Sequence, residues 1–223
     1  MNHLKAPFAV LRDGQRFLEE VKRFDKLSEK MVSLFVSSFV LFAVYGAIMG
    51  SFTGPAQALS SAIKLPLLFL ATVAICMPTL YVACLLLGAK ETVGQYFTLL
   101  MAPLAVTAAL LVSFAPVTVF FMLTSSHYQF FKLLNVAILG TCGVAGVRFF
   151  GRAVRELWGE AASQRRSVLV PWMFLYAFVG SQLGWTLRPF FGAPGTEFEA
   201  VREVKGNFYV DVGRSFGEVL GME

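Results

Sequence analysis

Apolar and polar positions follow one another along this chain in long blocks. Five runs almost free of charge cover residues 32–50, 65–88, 95–124, 133–150 and 167–187. At about 1.5 Å per helical residue, each is long enough to cross a hydrocarbon core of roughly 30 Å. Lipid offers the backbone no hydrogen-bonding partner, so each block must be a helix that satisfies its own amides. The pattern predicts an all-α, polytopic integral membrane helical bundle with five transmembrane helices.

The polar ends are patterned too. In residues 1–30, Leu4, Phe8, Leu11, Phe17, Leu18, Val21, Phe24 and Leu27 fall at mostly three- and four-residue steps among Lys, Arg, Asp and Glu. That spacing predicts an amphipathic helix broken near Asp13-Gly14. Its apolar face fits the lipid surface, the protein's own loops or a partner helix. At the other end, Thr196 and Glu199 have the form of a capping box. After them Phe198, Val201, Val204, Phe208, Val212, Phe216 and Leu220 recur every three or four residues. A second amphipathic helix is predicted there, with a hairpin strand over 207–212 as the alternative. Phe198, Val201, Phe208, Val212 and Phe216 are the candidate partner contacts. Three regions follow: an amphipathic segment at 1–30, a five-span domain at 31–188 and an amphipathic tail at 189–223.

Charge orients this plan. Of the 223 residues 57% are hydrophobic and 15% charged, with a net charge of +5. Thirteen of the nineteen Lys and Arg residues fall in the N-terminal segment and the 2–3 and 4–5 loops; six fall on the other side. Cytoplasmic loops carry the basic excess, so the N-terminus is expected in the cytoplasm and the C-terminus outside. The positive charge is a topology signal and does not call for nucleic acid. Block one reads as a signal anchor, and the compact loops incline the reading to a bacterial inner membrane. Arg152, Arg155, Arg165 and Arg166 form the densest basic run and are candidates for contact with the lipid surface.

Small residues and prolines mark the packing. Gly46, Gly50 and Gly54 stand at four-residue steps, and Gly180 and Gly184 repeat that spacing in block five. Such faces let helix backbones approach closely, within one bundle or between copies. Gly140, Gly143 and Gly146 stand at three-residue steps. Pro66 falls in the first turn of block two, Pro78 inside it, and Pro103 and Pro116 inside block three, which is expected to kink or split. Trp172 and Trp185 are placed as an aromatic belt, and Lys64 and Lys132 where they would snorkel to the interface.

The chemistry is sparse. None of the five blocks contains Asp or Glu, the groups that mark proton relays and ion-coupled transport in membranes. Asn135, Gln182, Ser113, Thr107 and Thr141 are the polar groups near membrane depth, suited to hydrogen bonds between helices. His3 and His127 are the two histidines, and no HExxH, GxSxG or phosphate-cradling loop is present. Cys76, Cys84 and Cys142 sit singly in apolar blocks. No catalytic, cofactor or metal residue is assigned. The expected function is a non-catalytic membrane scaffold or accessory subunit, with protein partners or a homo-oligomer. An oligomeric channel or passive transporter is the alternative.

The stretch LLLGAKETVGQYFTLLMAPLA (85–105) resembles the corresponding part of Yip1-type membrane proteins: a span ending in glycine, a short polar turn, and a span with an early proline. VRFFGRAVREL (147–157) is similar to that family's basic segment after span four. The plan of a cytoplasmic N-terminal region and five spans is also similar, over residues 30–187. The chain lacks the family's Asp-Leu-Tyr-Gly-Pro type motif and adds the amphipathic tail. The resemblance implies a non-catalytic membrane organiser and carries over no functional residue.

Overall fold

A computed structural model describes residues 6–23, 26–124, 128–159 and 161–192, and all regular structure among them is helical. The tail candidates Phe198, Val201, Phe208, Val212 and Phe216 lie outside the described residues, as do Thr196, Glu199, His3 and His127. Two short helices, α1 (Ala6–Arg12) and α2 (Gly14–Lys22), precede five long ones. These are α3 (Leu27–Gly50), α4 (Pro55–Leu86), α5 (Val93–Thr124), α6 (Tyr128–Trp158) and, after the one-turn α7 (Ala161–Gln164), α8 (Arg166–Thr186). All five long helices are apolar and long enough to cross a membrane.

The long helices run alternately up and down. The α2–α3 turn, the α4–α5 loop and α7 lie at one end, called here the basic end. The α3–α4 turn, the end of α5, the start of α6 and Pro189–Gly192 lie at the opposite end. Helix α5 is the central member, with half of its residues buried. It packs between α3 and α6, α4 lies against α3, and α8 lies on the outer side of α4. Burial falls outward: 44% of the apolar stretch of α3 is buried within the protein, against 11% for α8.

The α1–α2 pair is broken at Asp13, whose side chain caps α2 by accepting from the Arg16 amide at 3.4 Å. It lies against the bundle itself, α1 on α3 and α5, and α2 on α5 and α6. Val10, Leu18 and Val21 are fully buried there. Part of the apolar face of this amphipathic segment thus packs on the protein's own helices, while Phe8 and Leu11 remain exposed.

Helix α4 starts ten residues earlier than the apolar block. Gly54 (φ +148°) precedes Pro55, which occupies the first turn, where its missing amide costs nothing. Pro66 is therefore interior to the helix, not in its first turn. Helix α5 is one helix containing both Pro103 and Pro116, not two half-helices.

The α4–α5 loop is closely built. At Gly88 (φ +79°) the Ala89 amide donates to Cys84 O at 3.0 Å and the Gly88 amide to Leu85 O at 2.9 Å, which closes α4 with a Schellman turn. Thr92 and Gln95 then form a capping box: the Thr92 amide donates to Gln95 Oε1 at 3.0 Å and the Gln95 amide to Thr92 Oγ1 at 3.4 Å. Gln95 Nε2 also donates to Val21 O at 3.4 Å, tying α5 to α2.

Candidate functional site

The small-residue positions separate by what they touch. A Cβ on Gly50 would stand 2.5 Å from the Gln57 carbonyl oxygen, and one on Gly46 would run into that of Ser61. These two glycines let α3 and α4 meet backbone to backbone. Gly54 does not belong with them: helix α3 stops at Gly50, the four-residue step crosses a turn, and a Cβ there meets nothing within 4 Å. Gly180 and Gly184 face Thr72 and Leu68 of α4 at ordinary contact distances. In α6, Gly140 and Gly143 face open space, and Gly146 packs on Pro103 and Thr107.

Polar groups in the bundle interior are spent on one another. Tyr45 Oη donates to Asn135 Oδ1 at 2.9 Å and lies 3.2 Å from Thr118 Oγ1, joining α3, α6 and α5. Asn135 Nδ2 donates to Phe131 O at 2.9 Å. All three side chains are fully buried. Thr107, Ser113 and Thr141 donate to carbonyls one turn back in their own helices. These polar residues thus hold helices together or bond to their own backbones, and the node at Tyr45 is buried between α3, α5 and α6.

At the opposite end, the segment after α8 folds back over the start of α4. Thr53 Oγ1 donates to Phe191 O at 2.6 Å, Gln57 Nε2 to Pro189 O at 2.7 Å, and Ser61 Oγ to Phe190 O. Lys64 Nζ donates to Pro189 O at 3.1 Å and is buried. The ammonium of Lys64 is met there by a backbone carbonyl of the chain itself. Gly192 (φ +63°) presses so closely on Thr53 that a Cβ would lie 2.6 Å from Thr53 Oγ1. Trp185 is buried with the Arg188 guanidinium 3.5 Å above its ring. Trp172 is buried as well and donates to Cys76 O at 2.8 Å. Both tryptophans face the protein, and the aromatic-belt assignment does not hold for them.

At the basic end, Arg165 is not a lipid-surface residue. It is 5% exposed, with Nη1 3.0 Å from both carboxylate oxygens of Glu91 and its guanidinium carbon 4.8 Å from the Trp158 ring centre. The pair connects the α4–α5 loop to the start of α8. Arg152, Arg155 and Arg166 are exposed. Glu20 pairs with Lys30 at 3.1 Å and with Arg16 at 3.2 Å. The Lys30 ammonium beside it holds the Glu20 carboxyl below its ordinary value.

Beside these pairs a cavity of about 440 Å³ opens between α1–α2 on one side and α5 and α6 on the other. Arg12, Asp13, Arg152 and Glu156 stand around it, and Val106, Leu110, Ala145 and Phe149 line its apolar part. Sequence reasoning missed this site, because it forms only where the N-terminal pair meets helices more than eighty residues away. No cluster of three His, Cys, Asp or Glu side chains suited to a metal ion occurs among the described residues. The three cysteines are unpaired and buried in separate places.

No protein-family model, curated protein or solved structure matches this chain. The chain is a polytopic helical membrane protein in contact with lipid.

Proposed function

We propose that this protein is a non-catalytic scaffold or accessory subunit of a membrane complex. The observation that carries this reading is the lopsided packing of α8. Only Leu169, Trp172 and Trp185 of its 21 residues are buried, while Phe174 and Phe178 are 73% and 55% exposed. A span fastened along one face by α4 presents its other face to lipid or to a partner span, and association of spans within lipid proceeds by van der Waals packing of such faces. This face and the C-terminal tail are the contact surfaces of the reading. The likeness to Yip1-type organisers points the same way.

A channel through a single copy is disfavoured by the buried Tyr45–Thr118–Asn135 node, so a pore would have to run between copies. Gentle extraction from native membranes, followed by mass determination of the intact particle, tests the proposal. A stoichiometric protein partner that Phe174→Ala with Phe178→Ala releases is the expected result. A homo-oligomer that conducts a defined solute in liposomes would overturn it.

A further inference from the structure

The groove between the N-terminal helices and α5–α6 has a polar rim and an apolar floor at different depths. Arg152 and Glu156 lie six and two residues from the end of α6 at Trp158, about 9 and 3 Å along the axis. Gly14 fixes the height of the α1–α2 break, since a Cβ there would be 3.1 Å from Phe149, nine residues or about 14 Å from that end. Arg12 and Asp13 flank this break. The floor lies deeper: Val106 is thirteen residues into α5 and Ala145 thirteen from the end of α6, each about 20 Å.

Helix α6 has 31 residues and α5 has 32, so each exceeds a hydrocarbon core by roughly 16 Å. Sharing that excess leaves about 8 Å of each helix beyond the core at this end, so Arg152 and Glu156 stand around headgroup level, the break at Arg12 and Asp13 about 6 Å further in, and the floor well inside the hydrocarbon. A ligand filling this groove therefore needs a polar head and an apolar chain.

The charges narrow the class further. The rim holds two cations and two carboxylates, and none of the ion pairs among the described residues uses any of the four. The Asp13 side chain does accept the Arg16 amide, which leaves lone pairs facing outward. An anionic head would answer Arg12 and Arg152 and leave Asp13 and Glu156 against like charge. A zwitterion carrying a phosphate and an amine with N–H donors answers all four. We propose that this groove binds one phospholipid of the phosphatidylethanolamine class. Its phosphate meets Arg12 and Arg152, its ammonium meets Asp13 and Glu156, and a chain lies along Val106, Leu110 and Ala145. At about 440 Å³ the cavity holds the head and the first part of a chain, and the remainder continues into the bilayer.

The full chain, placed in nanodiscs of equimolar phosphatidylethanolamine, phosphatidylcholine and phosphatidylglycerol, and released for native mass spectrometry, reads the bound lipid directly. Phosphatidylethanolamine is expected to be retained about ten-fold over either competitor, the worth of one charge-assisted hydrogen bond. Asp13→Asn with Glu156→Gln should erase the preference over phosphatidylcholine, and Asn at position 13 keeps the helix cap. Ala145→Phe, which fills the floor, should abolish retention. Equal retention of the three lipids by the unaltered chain, or preference for phosphatidylglycerol, would overturn the assignment. So would an unchanged preference in the double variant, which alters no buried contact and remains informative if Ala145→Phe does not fold.

Discussion

At the opposite end of the bundle, Thr53, Gln57, Ser61 and Lys64 all donate to backbone carbonyls of residues 189–191. At the basic end, Arg12, Asp13, Arg152 and Glu156 stand around an open groove without ion pairs of their own. Both sets of polar groups lie towards the ends of the bundle, yet one end is sealed by the chain and the other is left receptive. The sealed end shows what a membrane helix does with polar groups that have a structural purpose: each is given a fixed acceptor, because an unsatisfied group in lipid costs several kcal/mol. Charges kept without such partners are the ones available to something outside the chain.

The contrast can be broken from either side. The largest expected effect comes from the buried Arg165–Glu91 pair at the basic end. Glu91→Ala leaves the buried Arg165 guanidinium without its carboxylate, and should cost about 3–5 kcal/mol, read as a lowered Tm in mild detergent. Arg152→Ala, a rim charge with no partner to abandon, should leave the same Tm nearly unchanged. Gly50→Leu forces a side chain into the Gln57 backbone and should cost roughly 3 kcal/mol. Gly54→Ala tests the correction at that position, although its φ of +148° makes any side chain strained there. A cleaner control is Gly140→Ala, in open space, which should not lower Tm.

A smaller effect is expected at the Tyr45 node, towards the opposite end of the bundle. Tyr45→Phe removes a donor to Asn135 and should cost about 1 kcal/mol, since hydrogen bonds between membrane helices are worth little more than that. The smallest effect concerns Glu20. Its pKa is lowered in the folded state, so the stability it contributes is complete above its ordinary value of 4.5 and is lost as pH falls through the lower folded value. Glu20→Gln should therefore lower Tm slightly at neutral pH, and the difference from the unaltered chain should vanish as pH falls below the folded value.

Much of this architecture was legible before any coordinates. The five spans follow from apolar block length, and the break at Asp13-Gly14 follows from local helix grammar. What stayed hidden depends on contacts distant in sequence. The first ten residues of α4 read as a loop because Gln57, Ser61 and Lys64 look like membrane exits; their acceptors come from a segment about 130 residues later. Arg165 read as one more surface charge because Glu91 lies 74 residues away. Gly54 was grouped with Gly46 and Gly50 by spacing, which has meaning only while the helix continues. The capping box at Thr92 and Gln95 carried its signature in plain sequence, and only its position between two apolar blocks obscured it.

Site-directed labelling with a membrane-impermeant maleimide tests the contrast between the two ends most directly. The native cysteines are buried and provide a quiet background. In intact vesicles Arg152→Cys should react readily from one side, while Ser61→Cys should stay unreactive from both. Reaction at Ser61→Cys as fast as at Arg152→Cys would mean that the supposedly sealed end is open to water, and would contradict the account.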